Sequence, residues 1–143
     1  MQIKQVSIFI QNTQGRLAEV TRTISRAGIN IRALSLGDST DFGVLRLIVD
    51  NHTKCLEVLK EQGFMAQETS VIAVEIEDHP GGLDRVLTVF EQAAINVEYM
   101  YAFVEKTRSN AIVIFRINDM DKALSSLKTA GIPVVGDDVL RNL

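Results

Sequence analysis

The sequence predicts an α+β chain in which one small βαββαβ unit occurs twice. Three observations carry this. Apolar residues alternate at period two in short runs, the signature of half-buried strands. Between those runs they recur at three- and four-residue steps, the signature of helices with one buried face. The pattern then repeats at fixed spacing: Ile10 and Ile76, Gly15 and Gly81, Leu17 and Leu83, and Asn30 and Asn96 are each 66 residues apart, while Leu59 and Leu127, and Gly63 and Gly131, are 68 apart. The two-residue difference places an insertion in the second hairpin, near Glu105 to Asn110, where loops tolerate added length. The expected units are residues 1–69 and 70–143, with no linker, so the two are expected to pack together.

In the first unit Val6, Ile8 and Ile10 alternate with Ser7, Phe9 and Gln11 and read as a strand. Asn12 to Gly15 turns. Leu17, Val20, Ile24 and Ala27 give a helical face, and Gly28 follows the last periodic position, where helices commonly stop. Ile29 to Leu36 and Phe42 to Val49 form a hairpin. Cys55, Leu56 and Leu59 mark a second helix ended by Gly63, and Phe64 to Glu68 is a short last strand. In the second unit Ile72 to Glu77 is the first strand, and Leu83, Val86, Leu87, Phe90 and Ala94 line a helix. Ile95 to Val104 and Asn110 to Ile117 form the hairpin, Ala123, Leu124 and Leu127 the second helix, and Ile132 to Val135 the closing strand.

Bulk properties exclude several classes. Hydrophobic residues make up 46% and charged residues 23% of the 143, enough apolar material for a packed core. A formal net charge of −3 disfavours a nucleic-acid partner, whose affinity rests on Lys and Arg neutralising phosphates. One cysteine, Cys55, rules out an intrachain disulfide, so a cytoplasmic location is expected. No run nears the roughly 20 apolar residues of a membrane helix, and the N-terminal residues do not read as a signal peptide.

The stretch Asp78-His79-Pro80-Gly81-Gly82-Leu83 joins a strand to a helix. Backbone N–H groups at a helix start lack carbonyl partners and, with the positive end of the helix dipole, suit a carboxylate or another small anion. Proline near the first helical turn loses nothing, and glycine lets a ligand approach the backbone. The first unit carries a diverged copy, Asn12-Thr13-Gln14-Gly15-Arg16-Leu17.

Leu45, Leu47 and Val49 share one strand face and align with Val113, Phe115 and Ile117. The opposite face holds Val44, Ile48, Ile112 and Ile114. Helices on one side of a sheet bury only one such set, so the other is expected to be covered by a second chain in a homodimer.

Two such units, each with a D/N-x-P/x-G-x-L turn and a following Gly28-Ile29-Asn30-Ile31 or Ala94-Ile95-Asn96-Val97 segment, resemble tandem ACT domains over nearly the whole chain. The resemblance implies two ferredoxin-like units packed side by side, antiparallel sheets with helices on one face, and a non-enzymatic regulatory protein binding a free amino acid at the seam between units. No cofactor is implied. By similarity to the regulatory domain of phosphoglycerate dehydrogenase, Asn12 and Asn30, and in the second unit Asp78 and Asn96, would hold the ligand. The other turn residues, Thr13, Gln14, Gly15, Arg16, Leu17, His79, Pro80, Gly81, Gly82 and Leu83, would complete the sites. Gln14, where proline is usual, and Asp78, where asparagine stands in the first unit, depart from the pattern.

Plainer roles compete. Asn30 and Asn96 suit a turn, and Asp78 suits a helix N-terminus. His79 has no second histidine or cysteine at ligand spacing, so no metal is expected. His52 reads as solvent-facing, Cys55 as a buried inert thiol, Asp137-Asp138 as a solvated turn, and Tyr99 and Tyr101 as pocket or packing residues. An acylphosphatase-like enzyme on the same fold is the alternative function, faintly echoed by Gln11 to Arg16. RNA binding lacks the strand aromatics it needs. A ligand-free dimerisation module is the remaining alternative.

Overall fold

The computed structural model describes residues 2–38, 41–103 and 110–141. The elements run β1 (Ile3–Gln11), α1 (Arg16–Arg26), β2 (Ile31–Asp38), β3 (Phe42–Val49), α2 (His52–Glu61), β4 (Met65–Ile76), α3 (Gly82–Gln92), β5 (Val97–Ala102), β6 (Ala111–Ile117), α4 (Met120–Thr129), β7 (Val134–Val135) and α5 (Asp137–Arg141). The chain divides into two compact units, Lys4–Thr69 and Met1–Ile3 with Ser70–Leu143. Apart from Asn110, the segment expected to carry the insertion lies outside the described residues.

The first unit has strand order β2–β3–β1–β4. β3 pairs antiparallel with both neighbours, with Ile8 of β1 opposite Leu45 on one side and Leu36 of β2 opposite Leu45 on the other. Val6, Ile8 and Ile10 of β1 and Leu45, Leu47 and Val49 of β3 meet Val20 and Ile24 of α1 and Cys55 and Leu59 of α2 in one core. Both helices therefore lie on one face of the sheet, as the periodicities require. The second unit has the order β5–β6–β4–β7 and the corresponding core, with Val74 and Phe115 against Val86, Phe90, Ala123 and Leu127. Phe90 and Phe115 meet edge to face, centroids 5.3 Å apart.

Ile48, Ile112 and Ile114, outside the two helix-covered cores, are also buried. Three expectations need correction. Phe64 to Glu68 and Ile72 to Glu77 are not separate strands: Met65–Ile76 is one strand of 12 residues. Glu68, Thr69 and Ser70 have no glycine or proline to stop the extended backbone. Asp137 and Asp138 open α5 rather than forming a turn, because burying Leu140 gives that segment a core-facing side. His52 does not face solvent freely; its Nδ1 lies 2.7 Å from a Glu68 carboxylate oxygen.

The termini of α1 and α3 show how strictly the backbone repeats. Gly28 takes φ 73° after α1, and the residue at the same place after α3 is Ala94, which adopts φ 56° despite its Cβ. The second unit therefore holds a left-handed residue where the first uses glycine.

Candidate functional site

Two of the four longer helices are closed by their own side chains and two are not. Asn51 Oδ1 accepts the Lys54 N–H at 3.1 Å at the start of α2, and Asp119 Oδ1 accepts the Lys122 N–H at 3.1 Å at the start of α4. The N-caps of α1 and α3 are Gly15 (φ 83°) and Gly81 (φ 93°), with no side-chain cap. Arg16 N–H bonds to the Thr13 carbonyl and Gly82 N–H to the His79 carbonyl, closing the same turn in both units. Beyond them, the N–H groups of Leu17 and Ala18, and of Leu83 and Asp84, have no helical carbonyl to meet.

The first turn borders a small hollow of about 80 Å³ lined by Gln11, Asn12, Thr13, Leu17, Leu36 and Gly43. Asn12 donates its backbone N–H to the Asp41 carbonyl at 2.8 Å, so it lies beside the start of β3. Gln14 is exposed. Arg16 turns away from a ligand role at the turn: its Nη1 pairs with Glu19 at 2.8 Å and its guanidinium lies 4.4 Å over the Phe64 ring. The acylphosphatase-like reading loses its free arginine to that pairing.

In the second turn Asp78 is exposed and does not cap α3, whose N-cap is Gly81. Pro80 immediately precedes that cap, next to the first helical turn. His79 is held from both sides: Nδ1 lies 2.9 Å from the Pro80 carbonyl oxygen and Nε2 lies 2.5 Å from Glu77. Both partners accept only, so the doubly protonated ring satisfies both. The Pro80 bond first, and then the Glu77 bond, raise the His79 pKa above 6.5. Gly82 is required: a Cβ there would lie 2.0 Å from the Glu77 carbonyl oxygen.

Asn30 and Asn96 occupy equivalent places. Asn30 N–H donates to Asp50 Oδ1 at 3.1 Å while Asn30 O accepts the Asp50 N–H at 3.2 Å. Asn96 N–H donates to Asn118 Oδ1 at 2.9 Å while Asn96 O accepts the Asn118 N–H at 3.3 Å. Their own side chains are exposed and make no hydrogen bond among the described residues. Asp50 and Asn118 escape the sequence reading, although both are Asx residues just past a strand and share the 68-residue spacing.

The structure does not bring Asn12 and Asn30 together. Asn12 bonds across to Asp41, before β3, and Asn30 to Asp50, after it. The eight residues of β3 separate them, roughly 25 Å of extended chain. Asp78 and Asn96 are likewise at opposite ends of β6, since Ile76 faces Ala111 and Val97 faces Ile117. One unit cannot offer both members of either pair to a single amino acid.

A family model described as an ACT domain pair matches residues 1–143. The chain belongs to the ACT domain pair family. A solved relative, protein BT0572 from Bacteroides thetaiotaomicron, is 35% identical, with a TM-score of 0.93 over 100% of this chain and 98% of that one. The regulatory subunit of aspartate kinase from Thermus thermophilus, in its ligand-free form, shares the fold at 18% identity and TM-score 0.63, covering 90% of each chain. The corresponding subunit from Thermus flavus gives 16% identity and TM-score 0.60, over 90% of this chain and 92% of that one. No functionally curated protein matches.

Elsewhere in this ACT pair, Cys55 is buried on the inner face of α2, and burial, then the Asp50 carboxylate, push its thiol up to about 12. That thiol is not a nucleophile at neutral pH. Among the described residues no group of three His, Cys, Asp or Glu could hold a metal ion. No described helix is long and apolar enough to cross a membrane.

Proposed function

We propose that this ACT pair is a non-enzymatic regulatory sensor of a free amino acid, with the ligand carboxylate at an uncapped helix start. The observation that carries the reading is the contrast in capping. The same chain caps α2 and α4 with Asn51 and Asp119 and leaves the N–H groups of Leu17 and Ala18, and of Leu83 and Asp84, to an outside acceptor. Dipole and hydrogen bonds together favour an anion there by ~0.3–1 kcal/mol when exposed, more when water is excluded.

The first turn is the better carboxylate site. Its one nearby acidic residue in α1, Glu19, is neutralised by Arg16, whereas Asp78 and Asp84 flank the second with no ion pair among the described residues. Asn12 and Asp78 supply acceptors for the ammonium group. Asn30 and Asn96, too far from the turn of their own unit, serve a ligand on the turn of another unit, in this chain or in a second copy. That arrangement gives each asparagine amide a purpose for its exposure. Regulation follows if the ligand prefers one arrangement of the units over another.

A thermal-shift screen of the full chain against the twenty amino acids tests the reading. A ligand at one hundred times its Kd adds about 2.7 kcal/mol of stability. At least one amino acid should raise Tm, and calorimetry should show weaker binding in Asn30→Ala or Asn96→Ala with Tm of the free protein unchanged. No shift with any of the twenty, or full affinity in both variants, would overturn it.

A further inference from the structure

The two units differ at one place in a way that opens a second site. At the 66-residue spacing Arg16 corresponds to Gly82 and Glu19 to Arg85; at the 68-residue spacing Phe64 corresponds to Ile132. In the first unit the Arg16 guanidinium lies between these partners, 2.8 Å from Glu19 and 4.4 Å over Phe64. In the second unit no side chain stands at Gly82, and the region is a cleft of about 180 Å³ lined by Glu75, Glu77, His79, Gly82, Arg85 and Ile132. The chain cannot refill it from position 82, because even a methyl group would collide with the Glu77 carbonyl.

The charges are also reversed. In the first unit residue 16 is the cation and residue 19 the anion. In the second, residue 85 is the cation and the position of its partner is empty. Arg85 is held in place, its Nη2 donating to the Ala130 carbonyl at 2.8 Å, and its other N–H groups make no further bond among the described residues. Val86, Ile132 and Pro133 give the cleft an apolar wall. Of the two carboxylates there, Glu77 is paired with His79.

We propose that this cleft binds a small aliphatic carboxylate, its carboxylate paired with Arg85 and its tail against Ile132 and Val86. A guanidinium offers a carboxylate two parallel hydrogen bonds, and the cleft is wide enough because residue 82 has no side chain. In its protonated form His79 offsets the charge of Glu77, which would otherwise repel the anion. The site lies wholly within the second unit and shares His79 and Gly82 with its glycine turn; it differs from the helix-start reading above in resting on Arg85, which the Arg85→Met variant isolates.

Titration of the isotopically labelled full chain with isovalerate, followed by amide chemical shifts, tests it. Saturable shifts are expected at Gly82, Arg85 and Ile132, with affinity falling about tenfold or more in Arg85→Met and partly kept in Arg85→Lys. Isoamylamine, which has the same tail and the opposite charge, should leave these resonances unmoved. No saturable shift with isovalerate, unchanged affinity in a folded Arg85→Met protein, or tighter binding of the amine would each overturn the proposal. Shifts confined to Leu17 and Ala18 would place carboxylate binding at the first turn and likewise overturn it.

Discussion

Asn118 and Asn96 hold each other in a reciprocal pair: the Asn118 carboxamide oxygen accepts the Asn96 N–H at 2.9 Å, and the Asn118 N–H returns to the Asn96 carbonyl at 3.3 Å. Asp50 does the same for Asn30. The pairing fixes the backbone at the start of β5 and β2 and leaves the Asn96 and Asn30 amides facing out. Asn118→Ala should cost ~0.5–1.5 kcal/mol, the net worth of one such bond. Urea denaturation reads it, and a midpoint equal to wild type would show that the pairing contributes nothing.

Gly82 is the tightest point of the second turn. Gly82→Ala places a methyl group 2.0 Å from the Glu77 carbonyl oxygen, so backbone must move. Overpacking of this kind typically costs ~1–3 kcal/mol. Arg16→Ala, at the equivalent place in the first unit, should be milder, since it removes only an exposed ion pair and a contact with Phe64. Equal unfolding midpoints for the two variants would refute the difference between the turns.

His79 makes the second turn sensitive to pH. Its folded pKa is raised, first by the Pro80 carbonyl and then by Glu77, so its stabilising effect is complete below 6.5 and is lost as pH rises through the raised value. The Tm gap between wild type and His79→Gln should therefore be widest in mild acid and close with increasing pH. Proton NMR should show the His79 pKa falling toward 6.5 in Glu77→Gln. A pKa unmoved by that substitution would remove Glu77 from the clamp.

The site was only partly legible in the sequence. The glycine turns stood out because left-handed backbone and close approach favour one residue type. Asn30 and Asn96 stood out because they follow a helix stop at matching spacing. Asp50 and Asn118 did not, since an Asx after a strand has many uses and only its partner across the hairpin shows which. The contrast of Arg16 with Gly82 was visible, but its consequence was not. A missing side chain is a cleft only if nothing else fills the space.

The sequence by itself determined the repeat, the helical and strand faces, the glycine turns and the family, because each follows from local periodicity or backbone conformation. Tertiary structure alone decided that Met65–Ile76 is one strand and that Ile48 and Ile114 are buried. It also decided that Asn12 and Asn30 stand at opposite ends of β3. Those outcomes depend on strand register and on which distant surfaces exclude water. Neither is fixed by the order of residues along a single element.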